Sequence, residues 1–278
     1  MTARAEVVIR PADVAWANVG GHLRRLSKYR DLVATLSVHR INVRYQQSLL
    51  GVTWAVLQPL LMMTIFTIVF SRLARIPSED APYALFAYVA LLPWSFFASA
   101  VTNGALSLVN HTQLITKAYF PREILPMTDV IAALVDFAIG LVALAGLMAW
   151  FRVAPTPAVL YLAPLLGLLT AWTLAISLLF AAAQVRWRDV GVAIPVVIQL
   201  SMFVAPVIYP SSVVPPAWRP VYLLNPVAGI IDGFRDVLLR GQRPEATPVA
   251  FAAAVTVCAL PLAYLVFKRA EATMADIV

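Results

Sequence analysis

APYALFAYVALLPWSFFASAVTNGALSLVNHTQLIT, residues 81–116, contains no Lys, Arg, Asp or Glu, and only His111 titrates near neutral pH. The run is far longer than the roughly 18 apolar residues that mark a membrane-span candidate. Backbone in hydrocarbon must satisfy its own hydrogen bonds, so such a run reads as helix. Working outward, four further runs are free of charge: 45–71, 153–185, 190–218 and 246–267. A fifth, 130–151, is broken only by Asp136. Spans are expected near 54–72, 83–109, 128–151, 157–184, 190–209 and 247–267. The whole chain is 61% hydrophobic and 13% charged, where a soluble domain carries about 25% charge. Mean hydropathy is +0.82. The fold class is therefore an all-α integral membrane protein with six transmembrane helices.

Lys and Arg set the orientation. Six spans put both termini on one side. That side would hold fourteen of the 21 basic residues, eight of them before the first span. The other side would hold Arg72, Arg75, Arg152, Arg219, Arg235, Arg240 and Arg243. Both termini are expected in the cytoplasm. No signal peptide is expected, because the first long apolar run starts only after residue 44.

Composition excludes several classes. The only lysines are Lys28, Lys117 and Lys268, and none precedes Ser or Thr. A phosphate-cradling P-loop needs that step, so ATP would have to be bound by another chain. One cysteine, Cys258, permits no internal disulfide. The net charge of +7 suits an anionic lipid surface. Basic residues are spread over loops and not gathered in a stripe, which does not fit a nucleic-acid binder.

Along the chain, residues 1–27 carry little pattern. Residues 29–50 read as an amphipathic interface helix. Leu32, Leu36, Val43 and Leu50 share a stripe, with Arg40 and Arg44 beside it. It either snorkels its arginines to headgroups or meets a partner. In the loop 111–126, Thr112 can cap a short helix, and Pro121 and Pro126 limit it. Tyr119 and Phe120 are expected exposed between Lys117 and Arg122, for headgroups or for a protein groove. From 203 to 241, six prolines break an apolar stretch, and Asn225-Pro226 reads as a helix cap and first turn. Short re-entrant helices after the fifth span are the expected solution; a surface anchor is the alternative. No internal repeat is evident.

Seven short motifs then occur in order. They are VRYQQSLLG at 43–51 with WAVLQPL at 54–60, ITK at 115–117 with YFPRE at 119–123, RDV at 188–190, PVIYP at 206–210, and LNP at 224–226. Together they resemble the polysaccharide-exporting permeases of ABC transporters, the ABC-2 type, which handle O-antigen, capsular and teichoic-acid glycans. The resemblance implies a homodimer in the bacterial cytoplasmic (inner) membrane, with two copies of a separate ABC ATPase that bind ATP and Mg. It implies no cofactor or metal in this chain, and a lipid-linked glycan as substrate. Residues 1–53 would be a cytoplasmic tail and interface helix, 54–267 the transmembrane domain, and 268–278 a cytoplasmic tail. The loop 112–124 would couple to the ATPase, through Lys117, Tyr119, Phe120, Arg122 and Glu123. The segment 203–241 would form an outer gate, with Tyr209, Asn225, Asp232 and Arg235.

Inside the membrane, Tyr83, Phe86, Trp94 and Phe97 fall on one arc of the second span. They read either as helix packing or as a track on which sugar rings stack. Asp136 is the one acid well inside an expected span. A carboxylate at mid-bilayer costs about 2.5–3.5 kcal/mol. Either neighbouring helices or water satisfy it, or it lies at a subunit interface or along the conduit. Gly140, one turn on, permits close helix approach. Two other classes compete: an ion-coupled secondary transporter, and a membrane enzyme acting on lipid-linked sugars. The first usually needs more intramembrane ionisable groups. The second needs a catalytic constellation, and His22, His39, His111 and Cys258 suggest none.

Overall fold

The computed structural model describes residues 28–46, 48–76, 81–117, 120–219, 222 and 224–277, and every regular element among them is helical. In chain order, α1 is Arg30–Tyr45. A 3-10 turn, Gly51–Thr53, leads into α2, Trp54–Phe66, which runs on as a π-helix, Thr67–Leu73. Then come α3, Tyr83–Asn110, α4, Thr112–Lys117, and α5, Ile124–Trp150. The 3-10 turn Pro157–Tyr161 opens α6, Leu162–Arg186. α7 is Val190–Val204, α8 is Pro226–Leu238, and α9 is Ala246–Ile277.

Five helical stretches are long and apolar enough to cross a membrane: Gly51–Leu73, Tyr83–Asn110, Ile124–Trp150, Pro157–Arg186 and Ala246–Glu271. They coincide with five of the six expected spans. The sixth, expected over 190–209, is shorter. α7 stops at Val204 after 15 residues, and at 1.5 Å per residue it rises only about 22 Å. Ala205 turns extended (ψ 153°) because Pro206 follows and disfavours a helical residue before it.

The long hairpins give the bundle two ends. One holds α1, α4, residues 120–123, the 187–189 turn and the last turns of α9. The other holds the 151–157 connection and residues 205–219, 222 and 224–245. Thr156 Oγ1 donates to Gly241 O at 3.2 Å and ties the latter pieces together.

α3 is the central helix. Of its most apolar window 78% is buried within the chain, against 11% for Gly51–Leu73. It packs on α2, α5, α6, α7 and α8. Gly140 on α5 makes one contact possible: a Cβ there would sit 2.3 Å from Leu92 Cδ1. α2 and α7 instead expose apolar side chains, among them Ile65, Ile68, Val192, Leu200 and Phe203.

α8 lies inside the bundle against α9, α3 and α6. All its residues except Asp232 are buried. The expected cap is present, with Asn225 Oδ1 accepting from Val227 N at 3.1 Å and Pro226 in the first turn. This burial does not fit α8 to a surface anchor, while Trp218 and Arg219 before it are exposed. At the chain's end, the helix continues through the expected tail as far as Ile277. Thr112 does not cap α4; its hydroxyl donates back to Val109 O at 2.8 Å.

Candidate functional site

At the first end, the loop before α5 is fastened to α9. Lys268 Nζ bridges Glu123 Oε2 at 2.6 Å and Glu271 Oε2 at 2.7 Å. Arg122 donates its backbone N–H to Glu271 Oε1 and its guanidinium to Glu271 O, both at 3.1 Å. Tyr264 Oη donates to Glu123 Oε1 at 3.3 Å. Glu123 is only 2% exposed. A buried carboxylate persists when a cation and further donors satisfy it, and Lys268 and Tyr264 do so.

The coupling residues expected from the sequence therefore separate. Lys117 is exposed at the end of α4. Arg122 and Glu123 are internal fasteners. Phe120, expected exposed, is buried, in a cluster with Leu108, Ile115, Ile124 and Phe267. An apolar ring between two helices removes more surface from water there than in the loop. Tyr119 lies outside the described residues.

A second lock joins α1 to α5. Arg40 pairs with Asp129 and also donates to Leu125 O at 3.3 Å. Arg44 and the Tyr45 hydroxyl both donate to the Asp136 carboxylate. Asp136 is thus satisfied by a neighbouring helix. Arg40 and Arg44 hold α5 and do not snorkel. On the same helix, Leu32 and Leu36 pack on the Phe120 cluster, while Val43 stays exposed. Burial lowers the Arg40 pKa from its ordinary value, and Asp129 opposes the change. Burial, then the bond to Asp136, raises the Tyr45 phenol, which stays a neutral donor. His111, at the end of α3, is held below its usual range by burial.

Asp129, Lys268 and Glu271 were not singled out from sequence. One signal existed for Asp129. It stands seven residues before Asp136, two helical turns on the same face, opposite an arginine pair spaced by four. Nothing local marks Lys268 or Glu271.

The four aromatics of the arc are interior packing. Tyr83, Phe86, Trp94 and Phe97 are 5%, 1%, 5% and 6% exposed. Tyr83 Oη donates to Ile208 O at 2.8 Å, and Trp94 and Phe97 rings lie 5.6 Å apart. They present no open stripe to a polymer in this conformation.

At the second end, Arg235 is the hub of the expected gate. It is 2% exposed. Its guanidinium donates to Val207 O at 3.1 Å and Tyr209 O at 3.4 Å. It lies 3.6 Å from the centre of the Phe86 ring and 3.6 Å from Asp232 Oδ1. A desolvated cation over a ring gains about 2 kcal/mol. Burial pushes the Asp232 carboxyl up to about 6, against the nearby Arg235 charge. Asp236 accepts from Arg240 at 2.5 Å, Gln242 at 3.3 Å and Glu245 N at 3.1 Å. Tyr209 donates to Phe203 O at 3.0 Å, and burial raises its phenol. Three of the four expected gate residues, Tyr209, Asp232 and Arg235, meet here; Asn225 caps α8. Among the described residues no group of His, Cys, Asp and Glu could hold a metal ion.

The chain is similar to known membrane proteins over most of its length. It is 29% identical over 256 residues to the O-antigen export system permease protein RfbA of Myxococcus xanthus, covering 91% of this chain and 98% of that one. A Klebsiella pneumoniae protein of the same name is 27% identical over 212 residues, 76% of this chain and 81% of that one. The polysialic acid transport protein KpsM of Escherichia coli is 21% identical over 251 residues, 87% and 94% of the two chains. The family model described as ABC-2 type transporter matches residues 32–239, from α1 to the end of α8, so the chain belongs to the ABC-2 type transporter family.

Proposed function

We propose that this chain is the permease subunit of an ATP-driven exporter of a lipid-linked polysaccharide, an O-antigen or similar cell-surface glycan. The family match across α1 to α8, with relatives named as O-antigen and polysialic acid transport proteins, carries this reading. Two copies would sit in the bacterial inner membrane with two ABC ATPases that bind ATP and Mg. The absence of any Lys-Ser or Lys-Thr step supports a separate ATPase. The basic residues favour cytoplasmic termini. α7 would be a sixth, short crossing and 203–241 would hold the outer gate. The contacts of Val207, Ile208 and Tyr209 with Arg235 and Tyr83 support that reading. Both acids on α5 are paired with arginine, which favours this reading over ion coupling.

In this reading α4 and Lys117 meet the ATPase, and the Lys268 network holds the loop behind them. The conduit lies elsewhere than the buried aromatic arc. The test is a deletion of the gene in its own host. Surface polysaccharide should vanish and return with the gene. The purified chain should hydrolyse no ATP until a P-loop ATPase from the same host is added. Normal surface glycan in the deletion strain would overturn the proposal.

A further inference from the structure

The second end of the bundle carries a cavity of about 340 Å³ between Ser211, Ser212, Arg219 and Tyr222 on one side and α8 and the start of α9 on the other. Its size falls in the range of small-molecule sites, roughly 300–1,000 Å³. The cavity's wall mixes polar groups with apolar surface, in a chain with few polar groups. Ser211, Ser212 and Thr247 bring hydroxyls. Arg219, Arg240, Asp232 and Glu245 line it together, two formal charges of each sign. An anion would meet two carboxylates there and a cation two guanidiniums, so neither finds an unopposed field. A neutral ligand rich in hydroxyls finds donors and acceptors together, since each hydroxyl both donates and accepts.

The walls are pre-set. Arg235 fixes Asp232 from behind at 3.6 Å. Asp236 holds Arg240 at 2.5 Å and the Glu245 N–H at 3.1 Å. Gly229 and Pro248 close the floor, where a Cβ on Gly229 would lie 2.8 Å from Pro248 O. Such support from packed and bonded neighbours is what keeps a site in one geometry. Beside Arg219, Trp218 is 63% exposed.

We propose that this cavity is a carbohydrate subsite that takes one pyranose unit of an uncharged glycan. The proposal rests on the exporter reading above, and places a sugar contact at the gate end of the permease. Carboxylate and guanidinium groups would take the hydroxyls, without any covalent step.

The experiment uses the full chain, with its ATPase, in lipid nanodiscs. Ligand-observed NMR saturation transfer is recorded for the methyl glycosides of glucose, galactose, mannose and rhamnose, and for inorganic phosphate and phosphocholine. At least one glycoside should receive saturation, and neither phosphate compound should displace it. Arg219→Gln with Glu245→Gln should weaken that binding roughly tenfold, the loss of about one charged hydrogen bond. Thr247→Val, a milder change at the rim, should weaken it in the same direction. No saturation of any glycoside, displacement by a phosphate compound, or unchanged binding in both variants would overturn the subsite. Those results leave the exporter reading standing if the deletion strain lacks surface glycan; intact surface glycan in that strain sinks the exporter reading itself.

Discussion

Asp129 and Asp136 show how a chain with few charges keeps carboxylates in an apolar helix. Each meets an arginine from α1. The side chains of Arg40 and Asp129 are 14% and 4% exposed, those of Arg44 and Asp136 30% and 22%. Breaking a buried pair by removing one partner leaves a bare charge and costs about 3–5 kcal/mol. Replacing both partners by apolar groups costs far less. Asp129→Asn should therefore lower thermal stability in detergent more than Asp136→Asn does. Arg40→Met combined with Asp129→Leu should recover most of the loss. Equal melting of Asp129→Asn and the native chain would show that the pair holds nothing. In the sequence Asp136 stood out as an acid inside a span. Asp129 did not, because it falls at the expected boundary, where water is a ready partner. The pairing spans 89 and 92 positions along the chain, beyond any local pattern.

At the scale of elements, α9 is both a span and a clasp. Its apolar part reads plainly as helix. Its last turns hold the loop before α5 through Lys268 and Glu271, with Phe120 buried behind them. Lys268→Met should leave Glu123 buried without its cation and loosen this loop. In a Cys258→Ala background, a cysteine at Phe120 should react slowly with a thiol reagent and faster once Lys268→Met is added. Equal rates would mean that packing alone holds the loop. α8 teaches the complementary lesson. Its cap and first turn, Asn225-Pro226, were legible, because capping is local. Its place inside the bundle was not, since an amphipathic helix of 13 residues suits a membrane surface as well as a protein interior. Contacts with α3, α6 and α9 decide between them.

For the whole molecule, the exporter reading would give the α4 end to the ATPase and the cavity end to the outer gate. On that reading the basic count favours the α4 end in the cytoplasm and the cavity end outside. Two single cysteines in a Cys258→Ala background test this. Lys117→Cys should be labelled by an impermeant thiol reagent only from the cytoplasmic face, and Ser212→Cys only from the outer face. The reverse pattern would invert the molecule and separate the 340 Å³ cavity from any emerging polymer.

Sequence by itself determined that the chain is a set of membrane helices. Length and composition alone decide whether a helix is stable in hydrocarbon. It also determined the family, through short motifs kept in order. Tertiary structure alone decided which charges are partners, that Tyr83, Phe86, Trp94 and Phe97 pack inwards, and that Arg122, Glu123 and Phe120 are internal to the chain. Those outcomes depend on which helix faces lie against one another. Helix faces are chosen by the fit of side chains far apart in sequence, as where Gly140 admits Leu92.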